Sequence, residues 1–310
     1  MDGGAPSSSV PVRREFGLPG RGPGRMAGLE WGRANRPYDL VFLHANGFNA
    51  LTYRRILSPL GDRYRVLAID QRGHGASSLS TITHGRTDWL DFRDDLLALL
   101  EVLDLTDAVL AGHSMGGTTS MMAAAEAPAR ARGLILFDPV LLPLSAAVEA
   151  ARPGAAHADL LRGALRRRNA FPSRAAAAQA YRGRGAFATW PPDMLADYVT
   201  GGFIDSAAGG VVLACAPEWE ASTFASHAHA AAAREALHRI ACPAEILLAE
   251  KDTTCRIDDE IETLTRTGRI TIQTVPGTTH FLPMERPDLA TTVLARALEL
   301  GASGRNRSGG

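Results

Sequence analysis

The sequence predicts a doubly wound α/β fold: a mostly parallel sheet with helices on both faces and a helical segment inserted after the sixth strand. Short, uniformly apolar runs alternate with longer stretches in which apolar residues recur every three or four positions, the pattern of buried parallel strands joined by crossover helices. The runs end in clusters of Gly, Asn, Asp and Ser, where a strand gives way to a turn. The alternation stops near Leu141 and resumes at Cys242-Pro243, which marks the insertion.

Residues 1–25 are rich in Gly, Pro, Ser and Arg and lack an apolar h-region, so they read as a flexible tail without a secretory signal, with one edge strand over 10–16. Gly20-Arg21-Gly22-Pro23-Gly24 is no phosphate loop: no strand precedes it, a proline interrupts it and no helix follows. Residues 29–31 and 40–44 are strands, the second fully buried. After it come the turn Ala45-Asn46-Gly47-Phe48-Asn49 and a helical spacing of Tyr53, Ile56, Leu57 and Leu60. A strand over 65–70 ends in Asp70-Gln71-Arg72-Gly73-His74-Gly75. Thr87 or Asp88 caps a long helix whose apolar face is Trp89, Phe92, Leu96, Leu99, Leu100 and Leu103.

Residues 108–112 form the next buried strand, which runs into Gly112-His113-Ser114-Met115-Gly116 before a helical pattern over 118–126. A serine between two glycines at a strand-to-helix turn is exposed at its apex, and bulkier neighbours would collide with the strand and helix. The N–H of Met115 then lies at a helix N-terminus, where developing negative charge is stabilised. By itself the pentapeptide also fits a glycine-rich turn with a capping serine; partners elsewhere in the chain decide between the two.

A strand over 134–137 ends in Asp138-Pro139. Residues 141–241, rich in Ala and Arg with scattered aromatics, read as a helical cap over the sheet edge. The core, 26–140 and 242–300, resumes with a strand over 245–249 that ends in Glu250-Lys251-Asp252. A helix over 258–265, a strand over 269–275 and the turn Pro276-Gly277-Thr278-Thr279-His280 follow. A closing helix begins at Pro287, a good first helical residue, and 301–310 reads as a second tail. Ligands in such sheets bind beyond the carboxyl ends of the strands, which is where the turns at His44, Asp70, Ser114 and Asp138 lie.

At 310 residues, 45% hydrophobic and 21% charged, the chain has the composition of a soluble globular protein. Positive and negative residues balance at 33 each, which argues against nucleic-acid or membrane-surface partners. No apolar run approaches the roughly 18 to 20 residues of a membrane span. Cys215, Cys242 and Cys255 form neither a disulfide framework nor a zinc site and read as free thiols in a reducing, cytoplasmic setting. His227 and His229 are two apart, on different faces of a helix, so they make no metal pair. His84, His157 and His238 read as surface residues. The arginines at 162, 166, 167, 168, 174, 182 and 184 read as a solvated face rather than a receptor for an anionic substrate.

Taken together, His44-Ala45-Asn46-Gly47-Phe48, Asp70-Gln71-Arg72-Gly73-His74-Gly75, Gly112-His113-Ser114-Met115-Gly116, Asp252 and His280 resemble, in chain order, the α/β-hydrolase fold superfamily. The resemblance implies a capped serine esterase or lipase-like member. Ser114 is then the nucleophile, His280 the base and Asp252 the acid, with Asp138 as the alternative acid, since some members place it after the earlier strand. Pro139 beside Asp138 suggests a structural turn and favours Asp252. His280 would take the proton of Ser114 as it attacks and return it to the leaving alcohol, while Asp252 fixes the imidazole tautomer. The backbone N–H groups of Met115 and Phe48 would meet the oxyanion, each worth on the order of 3 kcal/mol in the transition state. His44 would anchor the oxyanion loop, His113 would pack beside the elbow, and Asp70 and His74 would shape their own loop.

The expected reaction is hydrolysis of a small-to-medium carboxylic ester, without metal or cofactor, with a small-molecule ester substrate as partner and the oligomeric state left open. A serine at the elbow excludes the superfamily's dehalogenases and epoxide hydrolases, which need a carboxylate there. Carbon–carbon bond hydrolysis, perhydrolysis and acyl transfer share the same triad, and a non-catalytic ligand receptor on the same fold is the alternative from another class.

Overall fold

A computed structural model describes residues 10–142, 155–226 and 228–305. In chain order its strands are β1 (Val12–Phe16), β2 (Met26–Trp31), β3 (Leu40–Leu43), β4 (Val66–Asp70), β5 (Ala108–His113) and β6 (Ala131–Phe137). Then come β7 (Ala170–Phe171), β8 (Phe203–Asp205), β9 (Val211–Leu213), β10 (Ala244–Ala249) and β11 (Ile270–Val275). The large sheet has the order β1-β2-β4-β3-β5-β6-β10-β11. It is parallel from β4 to β11, whereas β2 runs antiparallel to both β1 and β4.

Every residue of β3, β4 and β5 is buried, and their alternation divides the core between the two faces. Val41, Leu43, Leu67, Ile69 and Leu110 enter the layer shared with the helices Leu90–Val102 and Met115–Glu126. Leu40, Phe42, Val66, Ala68, Val109 and Ala111 enter the opposite layer, with Leu294 and Leu298 of the closing helix Pro287–Arg305. Continuous apolar strands follow from this two-sided burial.

From β3 the chain steps outward to β4, then crosses back to β5 on the other side of β3. The loops that leave β3 and β5 therefore diverge and open a crevice at their carboxyl ends. His44-Ala45-Asn46-Gly47-Phe48 and Ser114 lie on those two loops.

Three expectations are adjusted. The N-terminal segment is tied down from β1 onward, and Arg21 donates to Asp95 Oδ1 at 2.7 Å, so residues 12–25 belong to the core rather than to a tail. The closing helix runs to Arg305, past the expected boundary at 300. Between β6 and β10 the described residues form helices, including Ala155–Leu165, Pro192–Gly202, Pro217–Ala225 and His229–His238, but also a small antiparallel sheet, β7-β9-β8. Its strands span two or three residues each, too short for a period-2 signal.

This inserted segment is fastened to loops at the carboxyl edge of the large sheet. Asn49 Nδ2 donates to Tyr198 O at 3.0 Å, Asn46 Nδ2 to Glu220 O at 3.1 Å and Trp219 Nε1 to Arg72 O at 3.0 Å. Arg54 forms a forked ion pair with Asp197, its Nη2 at 2.9 Å from Oδ1. No helix among the described residues is long and apolar enough to cross a membrane.

Candidate active site

β5 ends in a turn so tight that Ser114 takes φ 56° and ψ −124°, a positive-φ backbone conformation that residues with side chains rarely adopt. Its N–H donates to Phe137 O at 2.9 Å, which locks the turn onto β6. The flanking glycines are required by contact. A Cβ on Gly116 would stand 2.3 Å from Leu43 O, and one on Gly112 2.4 Å from the carbonyl carbon of Gly116. The helix begins at Met115, three residues before the expected start, because Gly116 and Gly117 hide its first turn from propensity. Met115 N–H thus belongs to the first turn, whose donors have no intrahelical acceptor.

The geometry brings together Ser114, His280 and Asp138. His280 Nε2 lies 2.9 Å from Ser114 Oγ, and His280 Nδ1 lies 2.6 Å from Asp138 Oδ2. Asp252, expected to face the histidine, is exposed on its loop and is not the carboxylate that His280 meets. The reason is the sheet: β6 and β10 are paired neighbours, Phe137 in register with Leu247, so loops from either strand end reach the same histidine. Asp138 does so directly from the end of β6, in a left-handed conformation (φ 42°) that aspartate tolerates better than most residues.

What the Asp252 loop supplies is the cradle. Asp138 Oδ1 accepts from Thr253 Oγ1 at 2.5 Å and Ala249 N at 3.0 Å, and Oδ2 accepts from Thr254 N at 3.0 Å. Burial alone would raise the Asp138 carboxyl, but the hydrogen bond and charge of His280, with the Thr253 hydroxyl and the Ala249 N–H, hold it below its ordinary value. The ionised form is thus favoured more in the folded chain than in the unfolded one. Its stabilisation is complete above the ordinary carboxylate range near about pH 4, and it is lost as pH falls through the lowered folded value. Thermal melts of the native chain and Asp138→Asn from neutral to strongly acidic pH should show their Tm difference shrinking at the acid end. A difference independent of pH would contradict an ionised Asp138.

The loop after β3 departs from expectation at one atom. Phe48 N–H donates to Ala45 O at 3.1 Å and closes a turn, so it is not offered to a substrate oxygen in this conformation. Ala45 N–H is engaged by Tyr53 Oη at 3.2 Å, and Gly47 N–H by His74 Nε2 at 3.0 Å. The N–H of Asn46, second residue of the turn, is used by none of these bonds.

His44 anchors this loop: its Nδ1–H donates to Ala45 O at 2.8 Å and its Nε2 accepts from Gln71 N at 2.9 Å. Burial depresses its pKa to about 4, consistent with an accepting Nε2. Asp70 shapes its loop by accepting from Ala50 N at 2.8 Å and Ala76 N at 2.9 Å.

Among the other histidines, His229 is buried and stacked on Trp89 at 3.9 Å, His84 is exposed, and His227 lies outside the described residues. His238 is exposed but bonds Glu260 Oε2 at 2.6 Å. Of the insertion's arginines, Arg167 is not solvated: it pairs with Glu220 at 2.8 Å and reaches the Tyr198 hydroxyl. Among the described residues no cluster of three or more His, Cys, Asp or Glu could hold a metal ion.

A family model described as the alpha/beta hydrolase family matches residues 40–291. The chain belongs to the alpha/beta hydrolase family. Relatives of this hydrolase-family chain include the 2-(acetamidomethylene)succinate hydrolase of Mesorhizobium japonicum, 32% identical over 99 residues, which are 32% of this chain and 34% of that protein. The 3-oxoadipate enol-lactonase 2 of Acinetobacter baylyi is 35% identical over 108 residues, 35% of this chain and 39% of that protein. The matches thus span about a third of the length of these curated relatives. A crystal structure of E-2-(acetamidomethylene)succinate hydrolase superposes with a TM-score of 0.72 at 21% identity, covering 93% of this chain and 99% of that one. At that identity the likeness speaks for the fold.

Proposed function

We propose that this hydrolase-family chain is a serine hydrolase that cleaves a small-to-medium carboxylic ester through an acyl-enzyme, with Ser114 as nucleophile, His280 as base and Asp138 as acid. The observation that carries this reading is the array Ser114 Oγ, His280 Nε2 at 2.9 Å, and Asp138 Oδ2 at 2.6 Å from Nδ1. The relatives named as a hydrolase and an enol-lactonase are in keeping with it.

A neutral serine hydroxyl is a poor nucleophile, so His280 Nε2 takes its proton as Oγ bonds to the ester carbonyl carbon. Asp138 holds Nδ1–H and stabilises the imidazolium. The carbonyl oxygen gains the negative charge and is met by Met115 N–H. We assign the second donor to Asn46 N–H rather than Phe48 N–H, each donor contributing on the order of 3 kcal/mol. As the tetrahedral adduct collapses, His280 returns the proton to the departing alcohol. Water, deprotonated by the same histidine, then releases the carboxylic acid.

The insertion over 141–241 acts in this reading as a cap. Trp190 stands 5.1 Å from Phe48 and 6.1 Å from Phe281, which neighbours His280, so these rings supply an apolar wall for one side of the ester. A panel of p-nitrophenyl esters of rising chain length tests the proposal. Turnover with the shorter esters, and labelling of Ser114 alone by a serine-directed organophosphonate, are the expected results. Saturable binding without turnover of any ester would point instead to a receptor, and labelling of another residue would displace Ser114.

A further inference from the structure

We propose that Tyr53 and His113 form a buried positioning relay that fixes the oxyanion loop relative to the catalytic base; this rests on the triad assignment above. Tyr53 lies after the loop that leaves β3, His113 is the last residue of β5, and His280 follows β11, so three separate segments meet here. His113 Nε2 lies 2.7 Å from His280 O. A carbonyl only accepts, so Nε2 carries the ring proton and Nδ1 is left as an acceptor. The Tyr53 hydroxyl lies 2.8 Å from that Nδ1 and donates to it. The same oxygen accepts Ala45 N–H at 3.2 Å.

The hydrogen bonds therefore run in one direction, from Ala45 N–H through the Tyr53 hydroxyl and the His113 ring to the His280 carbonyl. Tyr53 and His113 are fully buried, so water cannot replace a missing member. Burial, with the charge of His280 beside it, depresses the His113 pKa to about 3, so its ring stays neutral and keeps the acceptor that the relay requires. Neither Tyr53 nor His113 touches Ser114 Oγ through these bonds. They act by holding the backbone on either side of it.

Tyr53→Phe removes the hydroxyl and leaves the ring, which packs 4.7 Å from Phe42. The assay is p-nitrophenyl ester hydrolysis, with kcat expressed per serine titrated by the organophosphonate, so that any unfolded fraction drops out. The expected result is a fall in kcat of about 10- to 100-fold with KM nearly unchanged, the size of loss that a misplacement near 1 Å produces. His113→Gln, which retains an amide donor toward His280 O but breaks the link to Tyr53, should lose a similar factor. The double variant should lose little more than either single one, because both cut the same chain. Wild-type kcat per titrated site in Tyr53→Phe, or losses that multiply in the double variant, would overturn the relay while leaving the triad in place. Failure of the organophosphonate to label Ser114 in the native chain would instead overturn the triad on which the relay depends.

Discussion

Ser114→Ala and His280→Ala are each expected to lower kcat toward a p-nitrophenyl ester by about 10⁶-fold, with the double variant losing hardly more, because in the proposed mechanism nucleophile and base act as one unit. Without Oγ there is no atom to form the acyl-enzyme. Without Nε2 at 2.9 Å there is no acceptor for its proton. Ser114 is buried, 7% exposed, and truncation to alanine removes a single oxygen. Far-UV circular dichroism and Tm measured beside the kinetics separate loss of chemistry from loss of fold. Activity of either variant within tenfold of the native chain would end the serine-hydrolase reading.

The second large effect distinguishes two aspartates. Asp138→Asn should lower kcat by about 10⁴-fold, since an amide in place of the carboxylate favours the wrong imidazole tautomer and no longer stabilises the imidazolium. Asp252→Asn should stay within about twofold of the native chain, as expected for an exposed side chain outside the hydrogen-bonded array. The reverse pattern would return the acid to the loop after β10. Thr253 and Thr254 offer an intermediate case: each hydroxyl holds a different oxygen of Asp138, so their removal loosens the carboxylate without deleting it.

Much of the fold was legible because its signals are local. Five-residue apolar runs report burial on both faces of a sheet, and the 3.6-residue spacing of Phe92, Leu96, Leu99 and Leu100 reports a helix packed on one side. Gly112 and Gly116 announced the crowded turn around Ser114, since a Cβ at either position would overlap backbone. Tyr53 was legible only as an apolar helix position; its hydroxyl leaves no trace in a hydrophobic pattern, so the contact with His113 went unread.

The sequence by itself determined the α/β alternation, the serine turn and a histidine at the last strand end, because each depends on residues adjacent in the chain. Which aspartate meets His280, and that the Phe48 N–H is taken up by the Ala45 carbonyl, only the tertiary structure decided. Asp138 and Asp252 both leave the carboxyl ends of strands that lie side by side, and pairing of β6 with β10 makes the two loops neighbours. Backbone direction at those ends then turns one carboxylate inward and leaves the other in solvent, a choice made by contacts between residues more than a hundred positions apart, such as Asp138 with Thr253 and His280.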